Sequence, residues 1–191
     1  MKNKIIEAFE NGDLLFPYFS PATRYIEENG SQIPLIAYLI NFIDTNSDQE
    51  LVLKQKSIIH GLINSRDQHG KFNININNHT KTKNGTSNYK ALDVALINGH
   101  ADIARQILSR KDISLIKPVT LIKGHSECKI TPFAFAVDYC PEIAKEIIDK
   151  KLIDTINPVY YSDYARYNAR EYVCEKCKNN AGEILENDLP F

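Results

Sequence analysis

The chain has 191 residues, a formal net charge of −1 and 43% hydrophobic residues, a composition that excludes a disordered chain. Its 23 basic residues are balanced by 24 acidic ones, which excludes binding to nucleic acid through a strongly basic surface. No apolar stretch reaches the ~20 residues of a membrane helix. The first residues contain no apolar core of a signal peptide. We therefore expect a cytoplasmic protein without membrane insertion.

The first helical pattern lies at the N-terminus, over residues 5–15. Ala8, Gly12 and Asp13 have the same spacing as Ala95, Gly99 and His100 later in the chain, which indicates a weaker copy of the unit found there. A helix within these residues is too short to be stable alone. We expect it to pack against a neighbouring helix.

Two further helices are predicted in the next fifty residues. One begins around Ile33, Pro34 and Leu35, and a longer one covers 48–64, with apolar residues recurring on one face. The alternating segment 72–76 then predicts a short strand. It leads into a polar finger over 73–88, where Asn, Thr and Lys are abundant.

The clearest unit covers residues 89–109. Leu92, Ala95 and Leu96 share one face of a first helix, which Gly99 ends, and His100 follows. A second helix is indicated by an apolar stripe at helical spacing, which consists of Ile103, Ala104, Ile107 and Leu108. Each helix has only two to three turns, so the pair must pack against other units.

A second copy of this unit covers 131–149. Thr131 is expected to cap a helix that starts at Pro132. Phe133 takes the place of Leu92, and Ala136 takes that of Ala95. One residue is missing from the turn, where Cys140 and Pro141 replace the glycine and histidine, and Pro141 is expected to open the second helix.

These two units resemble the ankyrin repeat, a helix-turn-helix unit of about 33 residues with a hairpin-like finger. Residues 90–95 and 131–136 match the first motif of that family, and residues 95–100 match the second. Asp93 and Ala134 depart from it, since the family has a histidine there. The positions that carry the repeat motif are Leu92, Ala95, Gly99, His100, Thr131, Pro132, Phe133 and Ala136.

The resemblance implies an all-α fold, a short solenoid of stacked helix pairs with hairpin-like fingers. The chain would form one domain with units at about 1–30, 31–72, 85–122 and 127–158, followed by capping helices over 159–191. Ser162 and Asp163 are read as the start of a capping helix. A terminal unit must bury one side and expose the other to water.

The resemblance also implies the function. Ankyrin-like proteins bind partner proteins through the finger tips and the exposed positions of the first helices, without catalysis and without a cofactor. The corresponding residues here are Tyr89, Ile97, Asn98, Glu127, Ile130, Asp138 and Tyr139. Tyr89, Tyr139 and Ile97 are expected to form the binding hot spot. The chain alone is expected to be monomeric.

The abundance of Ile, Asn and Lys is similar to that of ankyrin-like proteins from intracellular bacteria. Such proteins are often delivered into host cells as effectors. By this analogy, the expected partner is a host protein, and the protein would leave the bacterial cytoplasm for the host cell.

A cluster of five tyrosines in the C-terminal part has two interpretations that the sequence leaves open. The tyrosines could form a recognition surface, because tyrosine offers a large contact area at low entropic cost. They could instead half-bury the boundary of the cap, with each hydroxyl in water. The five are Tyr160, Tyr161, Tyr164, Tyr167 and Tyr172.

The alternative to an interaction module is a metal- or thiol-dependent enzyme built on the same scaffold. It would require Cys128, Cys140, Cys174 and Cys177 to converge in space, because a zinc site takes four ligands. The Cys174 and Cys177 pair has no second pair beside it in the sequence. Phosphate-binding loops and catalytic motifs are not found either. We therefore expect no metal site and no catalytic activity.

Overall fold

This computed structural model describes residues 4–13, 25–43, 48–80, 89–123, 126–154 and 156–180. These residues contain eight helices and six strands. The helices are α1 Lys4–Glu10, α2 Leu35–Asn41, α3 Gln49–Asn64, α4 Ala91–Ile97, α5 Ala101–Leu108, α6 Pro132–Tyr139, α7 Pro141–Asp149 and α8 Ala169–Asn180. The strands are β1 Tyr25–Glu28, β2 Ser31–Pro34, β3 Val119–Lys123, β4 Ser126–Ile130, β5 Pro158–Ser162 and β6 Arg166–Asn168.

The helices pack in two rows. Helices α2, α4, α6 and α8 contact one another in that order, and α1, α3, α5 and α7 form the second row. Within each pair, the first helix also packs on the second, as α4 does on α5 and α6 on α7. The predicted helix over 48–64 is confirmed as α3, with Asp48 as its N-cap.

The helix ends predicted from the repeat motif are also confirmed. The Thr131 hydroxyl accepts the Ala134 N–H at 3.5 Å, and Pro132 opens α6. Gly12 and Gly99 both have a positive φ, of 72° and 70°. In each corner, the residue after the glycine donates its N–H at 2.8 Å to the carbonyl of the alanine five residues earlier. The two corners are therefore the same local structure.

The expectation of an all-α fold is wrong, because the chain also contains two antiparallel sheets. Strands β1 and β2 form a hairpin, and the second sheet has the order β3-β4-β5-β6. Along β4, exposed Glu127 and Lys129 alternate with buried Cys128 and Ile130, as in a sheet with one face on the core. The finger before α6 is thus part of a four-stranded sheet.

The helix predicted from Ser162 and Asp163 is wrong for a local reason. The Ser162 hydroxyl accepts the N–H groups of Tyr164 at 3.3 Å and Ala165 at 3.1 Å. This pattern resembles a helix cap, but here it closes the turn between β5 and β6. Helix α8 begins later, at Ala169.

The strand predicted over 72–76 is also wrong. Phe72 forms a single β-bridge with Arg66, and the segment continues as bends and turns. Its alternation is real, since Ile74 and Ile76 are buried, but no partner strand lies beside it within the described residues. Residues 81–88 of the predicted finger lie outside the described part of the chain.

Candidate functional site

Three aromatic rings follow one another along the first row of helices. The ring centroid of Tyr89, just before α4, lies 6.0 Å from that of Phe135 in α6. Phe135 and Tyr139 are one helical turn apart, with ring centroids at 6.3 Å. Phe135 is buried, whereas Tyr139 is 53% exposed. The row therefore has a buried centre and an exposed end.

A second group of rings joins the last strands to α8. Tyr160 in β5 lies 5.9 Å from Tyr167 in β6 and 5.6 Å from Tyr172 in α8, and the centroids of Tyr167 and Tyr172 are 6.3 Å apart. These distances are typical of favourable aromatic pairs. Arg166 lies over the ring of Tyr161 beside this group, at 5.5 Å. Three of the five tyrosines that cluster in the sequence therefore contact one another.

Asp138 joins the two groups. It accepts a 2.8 Å hydrogen bond from the Tyr172 hydroxyl and pairs with Lys176 at 2.8 Å. Burial raises the pKa of the Tyr172 phenol, and the nearby Asp138 and Tyr139 raise it further. Tyr172 is therefore a neutral donor at physiological pH.

We call the two groups together the aromatic strip. It consists of Tyr89, Phe135, Tyr139, Tyr160, Tyr167 and Tyr172. Burial raises the pKa of Tyr89 as well, with a smaller contribution from Tyr139, and both rings contact that of Phe135. Phe135 and Tyr172 are buried within the strip, whereas Tyr139 is exposed and the other tyrosines are half-buried. Accessible aromatic rings that carry hydroxyls suit recognition of another protein.

The structure places the predicted contact residues in different settings. Ile97 is half-buried against the core, and Asn98 is exposed, with its amide 3.3 Å from the Asn41 side-chain oxygen. Ile130 is only 5% exposed, so its side chain belongs to the core. Asp138 is held by α8 as described above.

Glu127, the remaining predicted contact, lies on the exposed face of β4. Its carboxylate pairs with Lys129 on the same strand, at 3.5 Å. Sequence reasoning did not connect Phe135 or the C-terminal tyrosines with Tyr89 and Tyr139. The spacing of Phe135 and Tyr139 by four residues was a signal for the first link. The second link depends on tertiary packing.

Most of the repeat-motif residues lie in the core of the helix pairs, whereas Gly99 is exposed in its corner. Leu92, Ala95, Phe133 and Ala136 are all fully buried. The absence of a side chain beyond Cβ at the two alanines leaves room for the adjacent helices to approach. His100 is 4% exposed and lies at the start of α5.

Asp93 occupies the position where the repeat motif has a histidine. Its Oδ2 accepts the Lys90 N–H at 2.8 Å, and the Lys90 ammonium donates to the Lys117 carbonyl at 2.6 Å. Asp93 is fully buried, and its Oδ1 has no hydrogen-bond partner. Burial raises the pKa of Asp93 to about 6. The carboxylate thus caps α4 at a cost in desolvation.

The cysteines lie in different elements. Cys128 is buried in β4, and the buried Cys140 thiol donates to the Leu96 carbonyl at 3.4 Å. Cys174 lies half-buried in α8. The side chain of Cys177 lies outside the described part of the structure. Among the described residues, no group of three or more His, Cys, Asp or Glu side chains could hold a metal ion.

Comparison of the chain with protein-family models, with curated proteins and with solved structures finds no match. None of the helices in the described ranges has the length and apolar character needed to cross a bilayer. The functional argument therefore depends on the residues themselves.

Proposed function

We propose that the protein is a non-enzymatic interaction module that binds a partner protein through the aromatic strip and the adjoining exposed positions of α4 and α6. We also propose that its helix pairs are degenerate ankyrin repeats, supplemented by the two sheets. The observation that carries the proposal is the exposure of Tyr139, 53%, at the end of a continuous row of aromatic rings. Large aromatic side chains on a rigid support are typical of binding hot spots.

The support under Tyr139 strengthens this assignment. The ring of Tyr139 stacks at 28° on Phe135, which is buried in α6. The preceding residue, Asp138, is fixed by bonds from Tyr172 and Lys176. Because the Tyr139 ring stacks on a buried ring, its side chain loses little conformational entropy when a partner covers it. Half-buried Tyr89 and Ile97 extend the apolar area on α4.

Replacement of Tyr139 by alanine tests the proposal. Tyr164 provides a matched control, because it is an 88% exposed tyrosine at the β5–β6 turn, outside the strip. Wild type, Tyr139→Ala and Tyr164→Ala would be used to capture proteins from a eukaryotic cell lysate, which the resemblance to host-directed effectors makes the appropriate source. Captured proteins would be identified by mass spectrometry.

We expect a partner that wild type and Tyr164→Ala both capture and that Tyr139→Ala loses. The Tyr139 side chain is not part of the core, so circular dichroism should show all three proteins folded. The combined Tyr89→Ala and Tyr139→Ala change should abolish capture. A partner that binds Tyr139→Ala as well as wild type would refute the surface assignment. Capture of only the chain itself would indicate self-association.

A further inference from the structure

A second surface, which shares no residue with the aromatic strip, lies at the ends of α3 and α5. An open cleft of about 420 Å³ is lined there by Asn64, Arg66, Phe72, Ser109, Lys111 and the Arg110–Asp112 pair. This volume falls within the ~300–1,000 Å³ of small-molecule sites. The cleft combines a rigid wall with exposed cations, and neither the repeat motif nor the proposed function uses it.

Arg110 forms the rigid wall. Its guanidinium donates to the carbonyls of Ile63 at 2.9 Å and Ile74 at 2.8 Å, and it makes two bonds to the Asp112 carboxylate, at 2.8 and 2.6 Å. The Arg110 side chain is only 1% exposed. Arg110 lowers the pKa of Asp112 through this hydrogen-bonded pair. The one carboxylate of the cleft is therefore already occupied.

Arg66 and Arg110 both place their guanidinium groups over the ring of Phe72. The Cζ atoms of Arg66 and Arg110 lie 3.8 and 3.7 Å from the ring centroid. Two groups so close to one centroid must lie on opposite faces of the ring. Arg66 is thereby held in place by a cation–π contact and by a 2.8 Å bond from its Nη1 to the Gly70 carbonyl.

Two charged groups of the cleft, Arg66 and Lys111, have no ion-pair partner among the described residues, and both are hydrogen-bond donors. Arg66 keeps its Nε and second Nη groups, and it forms no ion pair with any described residue. Lys111 is exposed and likewise has no carboxylate partner within the described ranges. Asn64 is exposed at the same cleft and adds an amide. A ligand that satisfies these positively charged donors must be an anion.

We propose that the cleft binds the dianionic phosphate of a phosphomonoester. Three cations and one carboxylate leave two positive charges, which matches a dianion and exceeds what a single carboxylate ligand would neutralise. A guanidinium fork already oriented by an aromatic ring suits bidentate recognition of phosphate oxygens. The compact ammonium of Lys111 supplies a further donor to the third oxygen.

Inorganic phosphate is the first probe. It would be titrated into the full chain at constant ionic strength, with chloride as the balancing anion, and amide chemical shifts would be followed by NMR. We expect saturable shifts near the cleft, with a dissociation constant on the order of 1 mM. Lys111→Gln should weaken binding about tenfold, since it removes one charge-assisted contact. Its side chain has no folding role, so the variant should remain folded.

Arg66→Gln should weaken binding to a similar extent, and Arg66→Lys should retain part of the affinity because it keeps the charge. Lys129→Gln is the control, since it removes an exposed cation from β4, outside the cleft. A blocked phosphoserine tripeptide and a hexose phosphate distinguish the two sources of the group, a modified protein and a small metabolite. Absence of saturable shifts with all three probes would overturn the proposal. Equal weakening by Lys129→Gln and Lys111→Gln would also overturn it.

Discussion

The hydroxyl of Tyr172 donates a 2.8 Å hydrogen bond to the Asp138 carboxylate, so the last helix is bonded to α6 directly beside the exposed Tyr139. Tyr172 is 4% exposed, and its ring contacts the tyrosines of β5 and β6. Helix α6 and the four-stranded sheet thus both contact the Tyr172 side chain of α8. This hydrogen bond connects the two ring groups of the aromatic strip through Asp138.

Tyr172→Phe is expected to lower the free energy of unfolding by about 1–2 kcal/mol. The variant keeps the ring contacts and removes a hydrogen bond to a charged acceptor in a largely buried place. Urea unfolding followed by circular dichroism measures the change. Tyr164→Phe is the control, because its ring is 88% exposed, and it should leave stability unchanged. Equal stability of wild type and Tyr172→Phe would contradict the assigned bond.

The buried carboxyl of Asp93 should make stability fall as the pH rises. Its pKa is about 6 in the folded chain against an ordinary value of 3.8, so the folded state binds this proton more tightly than the unfolded state does. The resulting stabilisation is complete below the ordinary pKa and is lost as the pH rises through about 6.

Asp93→Asn removes this titration and keeps an acceptor for the Lys90 N–H. The free energy of unfolding of the variant, relative to wild type, should therefore increase by up to about 3 kcal/mol between pH 4 and pH 7. Urea titrations at several pH values provide the comparison. A difference between the two proteins that is independent of pH would show that Asp93 titrates normally.

Two histidines at the contact of α3 with α5 should make stability fall as the pH is lowered, the opposite of the effect of Asp93. Burial lowers the pKa of His60 and His100 below 6.5, with Lys56 lowering both and Asp102 opposing it. Since the folded state resists protonation, their contribution to stability is present above pH 6.5 and is lost as the pH falls below it. Acidification should therefore loosen the packing of α5 on α3.

His100→Asn tests this expectation, because asparagine is a favourable N-cap for α5 and does not titrate. The variant should lose less stability than wild type when the pH is lowered from about 7.5 to about 5.5, as measured by thermal melts. His69→Asn, in an exposed loop, is the control and should behave as wild type. Identical acid sensitivity of His100→Asn and wild type would contradict the prediction.

Three glycines should respond differently to alanine. Gly61 lies within α3 with open space around its Cβ position, so Gly61→Ala should stabilise the protein by about 0.5–1 kcal/mol. Gly99 has a φ of 70° and open space, so Gly99→Ala should cost about 1 kcal/mol from backbone strain alone. At Gly12, a Cβ would also meet Lys54 at 3.1 Å and Leu51 at 3.2 Å, and the cost should be larger.

The order of the three melting temperatures is the informative result. Gly61→Ala should melt above wild type, Gly99→Ala below it, and Gly12→Ala lowest. This series separates the effect of side-chain space on stability from the effect of backbone conformation. Gly61 and Gly99 both have open space around the Cβ position, but only Gly99 has a positive φ. A Gly99→Ala variant as stable as wild type would refute the left-handed corner.

The helix pairs were predictable because their signals are local. Thr131 and Pro132 mark a helix start, and Gly99 marks an end, within one turn of the residues they affect. The hairpin of β1 and β2 also has a local signal in the sequence, the dipeptide Asn29-Gly30. Asn29 and Gly30 both have positive φ values, as in the two-residue turns that asparagine and glycine favour.

The last strands and the binding surfaces could not be predicted in the same way. Ser162 satisfies nearby N–H groups both in a helix cap and in a strand turn, and only the pairing of β5 with β4 selects the second. The contacts of Tyr172 with Asp138 and of Arg110 with Phe72 join residues that are far apart along the chain.

The sequence by itself determined the helix pairs α4–α5 and α6–α7, the end of α4 and the starts of α6 and α7, because capping, left-handed corners and apolar periodicity act over a few residues. Only the tertiary structure decided that the chain is a mixture of helices and sheets, that the tyrosines meet across three elements, and that the cations at the ends of α3 and α5 share one cleft. Those features depend on long-range packing, in which the free energy of burial selects among local conformations that the same residues could adopt.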